Sequence, residues 1–301
     1  DGGYIVIGGS DSNISGDKTE NSRGKLDFWI LKLDSSGNIV WQHTYGGDQH
    51  DFDTFGQQTA DGGYIVGGYS DSGVSGDKTV PSNGQRDYWL LKLDSNGAIV
   101  WQKAFGGSLV DRIEATLQTA DGGYILGGYS NSPASGNKTE NSQGESDFWI
   151  VKLDNAGNIT WQNTIGGSDI DVLRDLIQTT DGGYLAAGYS KSNISGDKTE
   201  NSRGDFDYWV LKLDATGNIS WQKTLGAQWE DYLRDVKQLA DGSYLLAGWS
   251  FGPISGDKTE DSNGGYDYWL LKLSTSGNLL SQNSIGGSLD ESGTYILPTS
   301  D

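Results

Sequence analysis

Apolar and polar positions alternate along this chain in a pattern that returns every 60 residues. Five blocks, beginning at Asp1, Asp61, Asp121, Asp181 and Asp241, overlay without a gap. Within each block the apolar residues fall into short runs bounded by Gly, Asn, Asp and Ser, which is how strands are punctuated. In one copy, Ala115 to Thr119 leads through the hairpin turn Asp121-Gly-Gly123 into Tyr124 to Tyr129. A long polar stretch, Ser130 to Ser146, precedes Asp147 to Asp154; the turn Asn155-Ala-Gly157 then opens a fourth run that ends at Ile165. No segment holds a period near 3.6 long enough for a helix, and the nearest approach, Asp169 to Ile177, recurs where a strand is needed.

Four antiparallel strands per block make one propeller blade, since units of this length cannot bury an apolar face alone and must stack. The expected fold is therefore an all-β, five-bladed β-propeller over residues 1–301, with repeats 1–60, 61–120, 121–180, 181–240 and 241–300. Residue 1 falls at a hairpin turn, so the first blade lacks its first strand, and Asp290 to Asp301 supplies one spare. The sequence predicts that this C-terminal strand pairs with the N-terminal blade and closes the ring, which removes an exposed sheet edge. An open β-solenoid is the alternative.

Composition narrows the picture. Hydrophobic residues are 34% of the chain, with 46 Gly and 26 Trp plus Tyr, so the core must come largely from aromatics on Gly-punctuated strands. The net charge of −20 disfavours nucleic acid and anionic membrane surfaces as partners. Cys and Met are both absent, which excludes disulfides and thiolate metal sites. A start at Asp1-Gly-Gly reads as a piece of a longer or processed polypeptide, monomeric within it, with any signal or sorting segment outside.

The Asp-x-x-Gly turn followed by Trp, as in Leu33-Asp-Ser-Ser-Gly-Asn-Ile-Val-Trp41, resembles the tryptophan-docking repeat of quinoprotein (PQQ-type) propellers. That resemblance implies an outermost Trp strand and an innermost Gln-Thr strand. The longer signature Ser-Gly-Asp-Lys-Thr-Glu-Asn-Ser-x-Gly-x-x-Asp-Tyr-Trp, with Gly-Gly-Tyr before it, is similar to repeat proteins exported by type IX secretion in Bacteroidetes. It covers the whole chain and implies an extracellular or outer-surface address.

Candidate chemistry gathers on the long loops, which the topology puts on one face. Ser15, Gly16, Lys18, Thr19, Ser22, Gly24 and Asp27 recur in all five copies. Asp17 recurs as Asp77, Asp197 and Asp257, with Asn137 the exception, and an acid recurs as Asp51, Asp111, Asp171, Asp231 and Glu291. The ligand-binding candidates are accordingly Asp17, Asp77, Asp197 and Asp257, with Asp27, Asp87, Asp147, Asp207 and Asp267. Carboxylates and hydroxyls at this density suit sugar hydroxyls or Ca²⁺, and the candidate metal ligands are Asp17, Asp51, Asp77, Asp111, Asp197 and Asp231. The same residues also serve to tie a long loop down through Asx turns and lysine pairs. Trp229 and Trp249, with Phe251, interrupt the symmetry in the last two blades and are candidate stacking surfaces for a sugar.

Mid-strand Lys32, Lys92, Lys152, Lys212 and Lys272 are expected to pair with a recurring carboxylate such as Asp27. Asp11 to Gly16 begins like an EF-hand loop, yet Ser22 stands where the bidentate acid belongs, so no such site is expected. Catalysis needs an asymmetric constellation, and near-identical blades disfavour it. The expectation is no enzyme; a hydrolase would draw on Asp51, Asp53, Glu114, Asp175, Glu230 or Asp235. The chain reads as a secreted or cell-surface multivalent binding and display module for glycans or another surface protein, or else as a ligand-free spacer.

Overall fold

The computed structural model describes residues 2–293 and 295–299, without the side chains of Asp53 and Thr54. Its described residues contain strands and turns and no helix. The first sheet has three strands in the order β1 (Tyr4–Ser10), β2 (Asp27–Leu33), β3 (Ile39–Tyr45). Four sheets of four strands follow. They are β4 (Asp51–Gln58) to β7 (Ile99–Phe105), β8 (Asp111–Gln118) to β11 (Ile159–Ile165), β12 (Asp171–Gln178) to β15 (Ile219–Leu225), and β16 (Asp231–Gln238) to β19 (Leu279–Ile285).

In each sheet sequence neighbours lie side by side. The second blade shows the pattern, with β5 (Tyr64–Ser70) and β6 (Asp87–Leu93) between β4 and β7. The expected four-run block is therefore one meander. The Asp-Gly-Gly hairpin turns as anticipated: Gly62 has φ +83°, and Asp61 accepts from Thr59 Oγ1 at 2.6 Å and Gly63 N–H at 3.0 Å. A bulge interrupts the first strand of a blade, between Asp53 and Phe55, Leu173 and Asp175, and Leu233 and Asp235.

Contacts divide the chain into two compact units. The first comprises Asp1–Leu126, Ser130–Asn141 and Val151–Gln162; the second comprises Gly127–Tyr129, Ser142–Ile150 and Asn163–Asp301. In the first unit, Phe28, Ile30, Tyr64, Val66, Trp89 and Leu91 form a buried cluster, with Phe28 and Trp89 rings 4.9 Å apart. In the second, Tyr208, Val210, Leu233, Leu246, Trp269 and Leu271 do the same, with Tyr208 and Trp269 5.0 Å apart. Blade packs on blade through these inner rings. The Trp of the last strand docks on the following turn, Trp41 Nε1 donating to Ser95 O at 3.0 Å and Trp221 Nε1 to Thr275 O at 3.1 Å.

The C-terminal strand departs from expectation. Residues 291–293 and 295–299 form no strand, and β1 pairs only with β2 among the described residues. The physical reason is local: Ile296 N–H is taken by Asp235 Oδ2 at 2.7 Å, as Val236 N–H is taken by Asp175 Oδ2 at 2.9 Å. Ile296 thus meets β16 as Val236 of β16 meets β12. Pro298 also lacks the donor that a ladder requires.

Candidate functional site

The long loop of each repeat is built around a lysine that the surrounding Ser, Gly and Asp would suggest is solvated. Ser15 and Lys18 form an isolated antiparallel bridge, repeated at Ser75–Lys78, Ser135–Lys138, Ser195–Lys198 and Ser255–Lys258. All five lysines are buried, Lys78 completely. Lys78 Nζ donates to Ser72 O (2.9 Å), Val80 O (3.0 Å) and Ser82 Oγ (3.0 Å), which uses all three of its protons. Lys258 does the same with Ser250 Oγ, Gly252 O and Ser262 Oγ. Burial lowers the amines of Lys78, Lys198 and Lys258, that of Lys198 to about 8.

A glutamine ties the loop to the blade. Gln102 Oε1 accepts from Trp89 Nε1 (3.2 Å) and Thr79 N–H (3.1 Å), while its Nε2 donates to Asp77 O (2.8 Å). Gln222 repeats all three contacts with Trp209, Thr199 and Asp197. The Trp-Gln pair recurring in the sequence is thereby explained: one residue docks the blade and the next holds its loop.

The structure places the Asp17 series on loop-to-loop clasps. Asp77 Oδ2 lies 2.8 Å from Arg23 Nε, and Asp257 Oδ2 lies 3.1 Å from Arg203 Nε. Asp197 accepts from Gln143 Nε2, and Asn137 Oδ1 accepts from Asn83 Nδ2 at 2.6 Å. The one repeat with Asn in place of Asp therefore faces Asn where others face Arg or Gln. Asp17 itself is exposed. These side chains, Asp17 apart, tie one repeat's loop to the next, and Asp197 and Asp257 also accept the N–H of Gly166 and Gly226 at 3.3 and 3.1 Å.

The acids that do meet are the Asp27 and Asp51 series. Every member of the Asp27 series has no solvent exposure, nor have Asp51, Asp111, Asp171 and Asp231. Asp87 Oδ2 accepts the N–H of Asn83, and Asp207 Oδ2 that of Arg203 at 2.5 Å, which turns the loop back into the strand. Asp111 Oδ2 accepts Gly107 N–H at 2.7 Å and Ser132 Oγ at 3.0 Å. Burial raises Asp87 to about 6, with Asp111 adding to it, and raises Asp231 to about 7, with Asp207 adding to it. Among the described residues no cluster of three or more His, Cys, Asp or Glu side chains stands ready for a metal.

Mid-strand lysines pair elsewhere than expected. Lys92, Lys152, Lys212 and Lys272 each lie 2.9 Å from the aspartate of the preceding hairpin turn, Asp61, Asp121, Asp181 and Asp241. Asp27-type residues could not serve, because they occupy the opposite end of the same seven-residue strand, where Asp87 faces Ser70 and Lys92 faces Ile65.

Trp229 and Trp249 do share a surface, in the second unit. Trp229, 42% exposed, stacks on Phe251 at 4.7 Å; Phe251 meets Tyr266 at 5.4 Å, and Tyr266 meets Tyr232 at 6.2 Å. Tyr232 in turn contacts Trp249 at 6.1 Å, Tyr189 at 4.9 Å and Phe206 at 5.4 Å. The Arg234 guanidinium sits 4.5 Å above Trp249, and Tyr266 Oη donates to Glu230. The equivalent positions in the first unit hold a different set: Phe52 and Tyr69 stacked at 4.9 Å, an Arg86–Asp71 pair at 2.7 Å, and Arg112 above Tyr69 at 4.6 Å.

Of the acids considered for hydrolysis, Asp175 and Asp235 come together. Burial and Asp235 raise Asp175. Both are engaged in strand linkage, Asp175 to Val236 N–H and Asp235 to Ile296 N–H, and Lys237 donates to Asp235. The side chain of Asp53 lies outside the described residues.

These features define an all-β array of repeated, propeller-like blades with self-closed loops. No family model matches the chain. Over 190 residues it is 25% identical to the Regulatory protein FlaEY of Caulobacter vibrioides, covering 60% of this chain and 20% of that protein. The chain thus spans about a fifth of that relative's length.

Among solved structures, cobalt-substituted apocarotenoid oxygenase of Synechocystis aligns over 96% of this chain and 60% of its own, with TM-score 0.50 and 10% identity. Kuenenia stuttgartiensis hydrazine synthase aligns over 84% of this chain and 61% of its own, with TM-score 0.50 and 8% identity. A protein of unknown function from Bacteroides caccae covers 95% of this chain and 94% of its own at TM-score 0.46 and 12% identity. The two at 0.50 are likenesses of fold alone, and both are enzymes by name, so the fold by itself does not separate binding from catalysis.

Proposed function

We propose that this protein is a rigid display module of an exported, cell-surface or extracellular polypeptide, its blades closing as a five-membered propeller, and that it binds glycans on the aromatic surface around Tyr232. One observation carries the reading. Blade-building positions are nearly identical from repeat to repeat, whereas two positions at the heart of this surface change from copy to copy: Phe52, Arg112, Val172 and Tyr232 are equivalent, as are Leu26, Arg86, Ser146, Phe206 and Tyr266. Invariant support beneath variable side chains is how a recognition surface is specialised on a fixed scaffold. Stacked, half-exposed rings offer an apolar face to sugar C–H groups, and Arg234 and Glu230 at the rim offer hydrogen bonds. With a net charge of −20, neutral sugars are favoured over polyanions.

The five long loops, closed by their own hydrogen bonds, support rigidity more than five equivalent sites. The test is a glycan-array screen followed by calorimetry with Trp229→Ala and Phe251→Ala. Loss of affinity by at least about tenfold in both variants, at unchanged thermal stability, is expected, since removing a stacking ring from a hot spot costs about 2 kcal/mol. Absence of glycan binding, or full affinity in both variants, would leave the ligand-free spacer as the better account.

A further inference from the structure

Where one blade meets the next, two buried carboxylates, one of the Asp27 series and one of the Asp51 series, lie near a single buried loop lysine. The buried mid-strand lysine of the same blade is turned to the hairpin aspartate at the opposite end of its strand, as Lys92 is to Asp61. Lys78 and Lys258 spend their protons on carbonyl and hydroxyl oxygens. They temper the carboxylates from a distance without occupying them.

One oxygen is left over at each of several junctions. Oδ1 of Asp27, Asp87, Asp207 and Asp267 is buried and has no hydrogen-bond partner. Leaving a fully desolvated carboxylate oxygen bare is costly. In each case it faces a glycine. A Cβ on Gly106 would fall 2.1 Å from Asp87 Oδ1 and 3.0 Å from Asp111 Oδ2; on Gly286 it would fall 2.1 Å from Asp267 Oδ1 and 2.3 Å from Glu291 Oε2. On Gly46 and Gly226 it would fall 1.9 and 2.0 Å from Asp27 Oδ1 and Asp207 Oδ1. The carboxylate therefore packs directly against each glycine, and at Gly106 and Gly286 an acid from the following repeat lies beside it.

We propose that these junctions are sites for a hard divalent cation of the calcium type, each held between an Asp27-series and an Asp51-series carboxylate. Both ligands are oxygen anions, and serine hydroxyls already surround the second, as Ser132 does Asp111. Calcium accepts six to eight oxygens in irregular geometry, including backbone carbonyls and water, so two carboxylates suffice as its charged ligands. Magnesium demands a near-ideal octahedron that a junction of this kind does not supply. The cation would offset the local negative charge and add to the backbone bonds that already join adjacent blades there, such as Asp111 N–H to Arg86 O at 2.8 Å. This is independent of any ligand on the aromatic surface.

The experiment uses the full chain, freed of metal with a chelator and dialysed against calcium or magnesium chloride at neutral pH, with bound metal measured by atomic emission. Expected are more than one equivalent of calcium per chain, at least tenfold weaker magnesium uptake, and a melting temperature that rises with the logarithm of calcium concentration. Asp207→Asn and Asp87→Asn should each lose one equivalent while keeping the wild-type far-ultraviolet spectrum. Terbium emission sensitised through tryptophan gives a second readout in the wild-type chain that needs no variant. No calcium above buffer at millimolar concentration, or full stoichiometry in both variants, would overturn the proposal and leave the carboxylate pairs sharing a proton instead.

Discussion

Replacing Lys78 with Met separates two readings of the repeating lysines. Lys78 is wholly buried, gives three hydrogen bonds, and faces both Asp51 and Asp87. Met preserves most of the stem volume, so the loss is electrostatic. Removing one partner of a buried charge cluster leaves the others uncompensated and costs about 3–5 kcal/mol. The control is Lys92→Met, whose amine meets Asp61, a side chain 63% exposed. Solvent screens that pair, and no buried acid is stranded, so about 1 kcal/mol is expected. The assay is urea unfolding of metal-free protein followed by tryptophan fluorescence, compared through the free energies extrapolated to water. Equal losses, or a Lys78→Met loss below about 1 kcal/mol, would refute the reasoning, because Asp51 and Asp87 would then be stable without the amine.

Further consequences can be checked in the same way. Gly106→Ala drives a methyl group into Asp87 and should cost about 1–3 kcal/mol as overpacking, whereas Gly73→Ala, with nothing within 4 Å, should leave the melting temperature unchanged. Gln102→Ala strips the acceptor from the Trp89 indole and from Thr79 N–H and should cost about 1–3 kcal/mol, seen as a lower unfolding midpoint and faster proteolysis in the Ser75 loop. Hydrogen bonds from Thr59 and Lys92 hold Asp61 at about 2, and, against the opposing effect of burial, Thr119 with Lys152 and Thr179 with Lys212 hold Asp121 and Asp181 there too. These folded values lie below the unfolded value of 3.8. Their stabilisation is therefore present above about pH 4 and lost as pH falls through about 2, so an Asp61→Asn, Asp121→Asn, Asp181→Asn triple variant should show a flatter acid-unfolding curve.

What the sequence disclosed follows the range of the interactions involved. Strands, hairpins and the absence of helix depend on neighbours within ten residues, and the 60-residue period carried them. The last-strand Trp of the first four blocks, Trp41, Trp101, Trp161 and Trp221, was legible as a core or docking residue for the same reason. Lys78 was not legible as buried, although its acceptors Ser72, Val80 and Ser82 lie within six residues, because a run of Ser, Gly and Asp carries no apolar period to show the loop wrapping round the amine. The meeting of Asp87 with Asp111 was hidden as well, since it depends on how one blade's third strand faces the next blade's first. Asn137 looked like a lapse in a site, and the structure shows it answering Asn83 across the loops.

Two contacts of the second unit, Asp175 to Val236 and Asp235 to Ile296, both span 61 residues. A bond that reproduces itself at constant sequence offset makes the chain a one-dimensional lattice, in which deleting or inserting a whole block is a translation and leaves every surviving contact in phase. Duplication or engineered grafting by multiples of 60 residues then keeps these two backbone contacts in phase. A single-residue insertion anywhere in a block, by contrast, must be absorbed inside that block or it shifts every such contact beyond it.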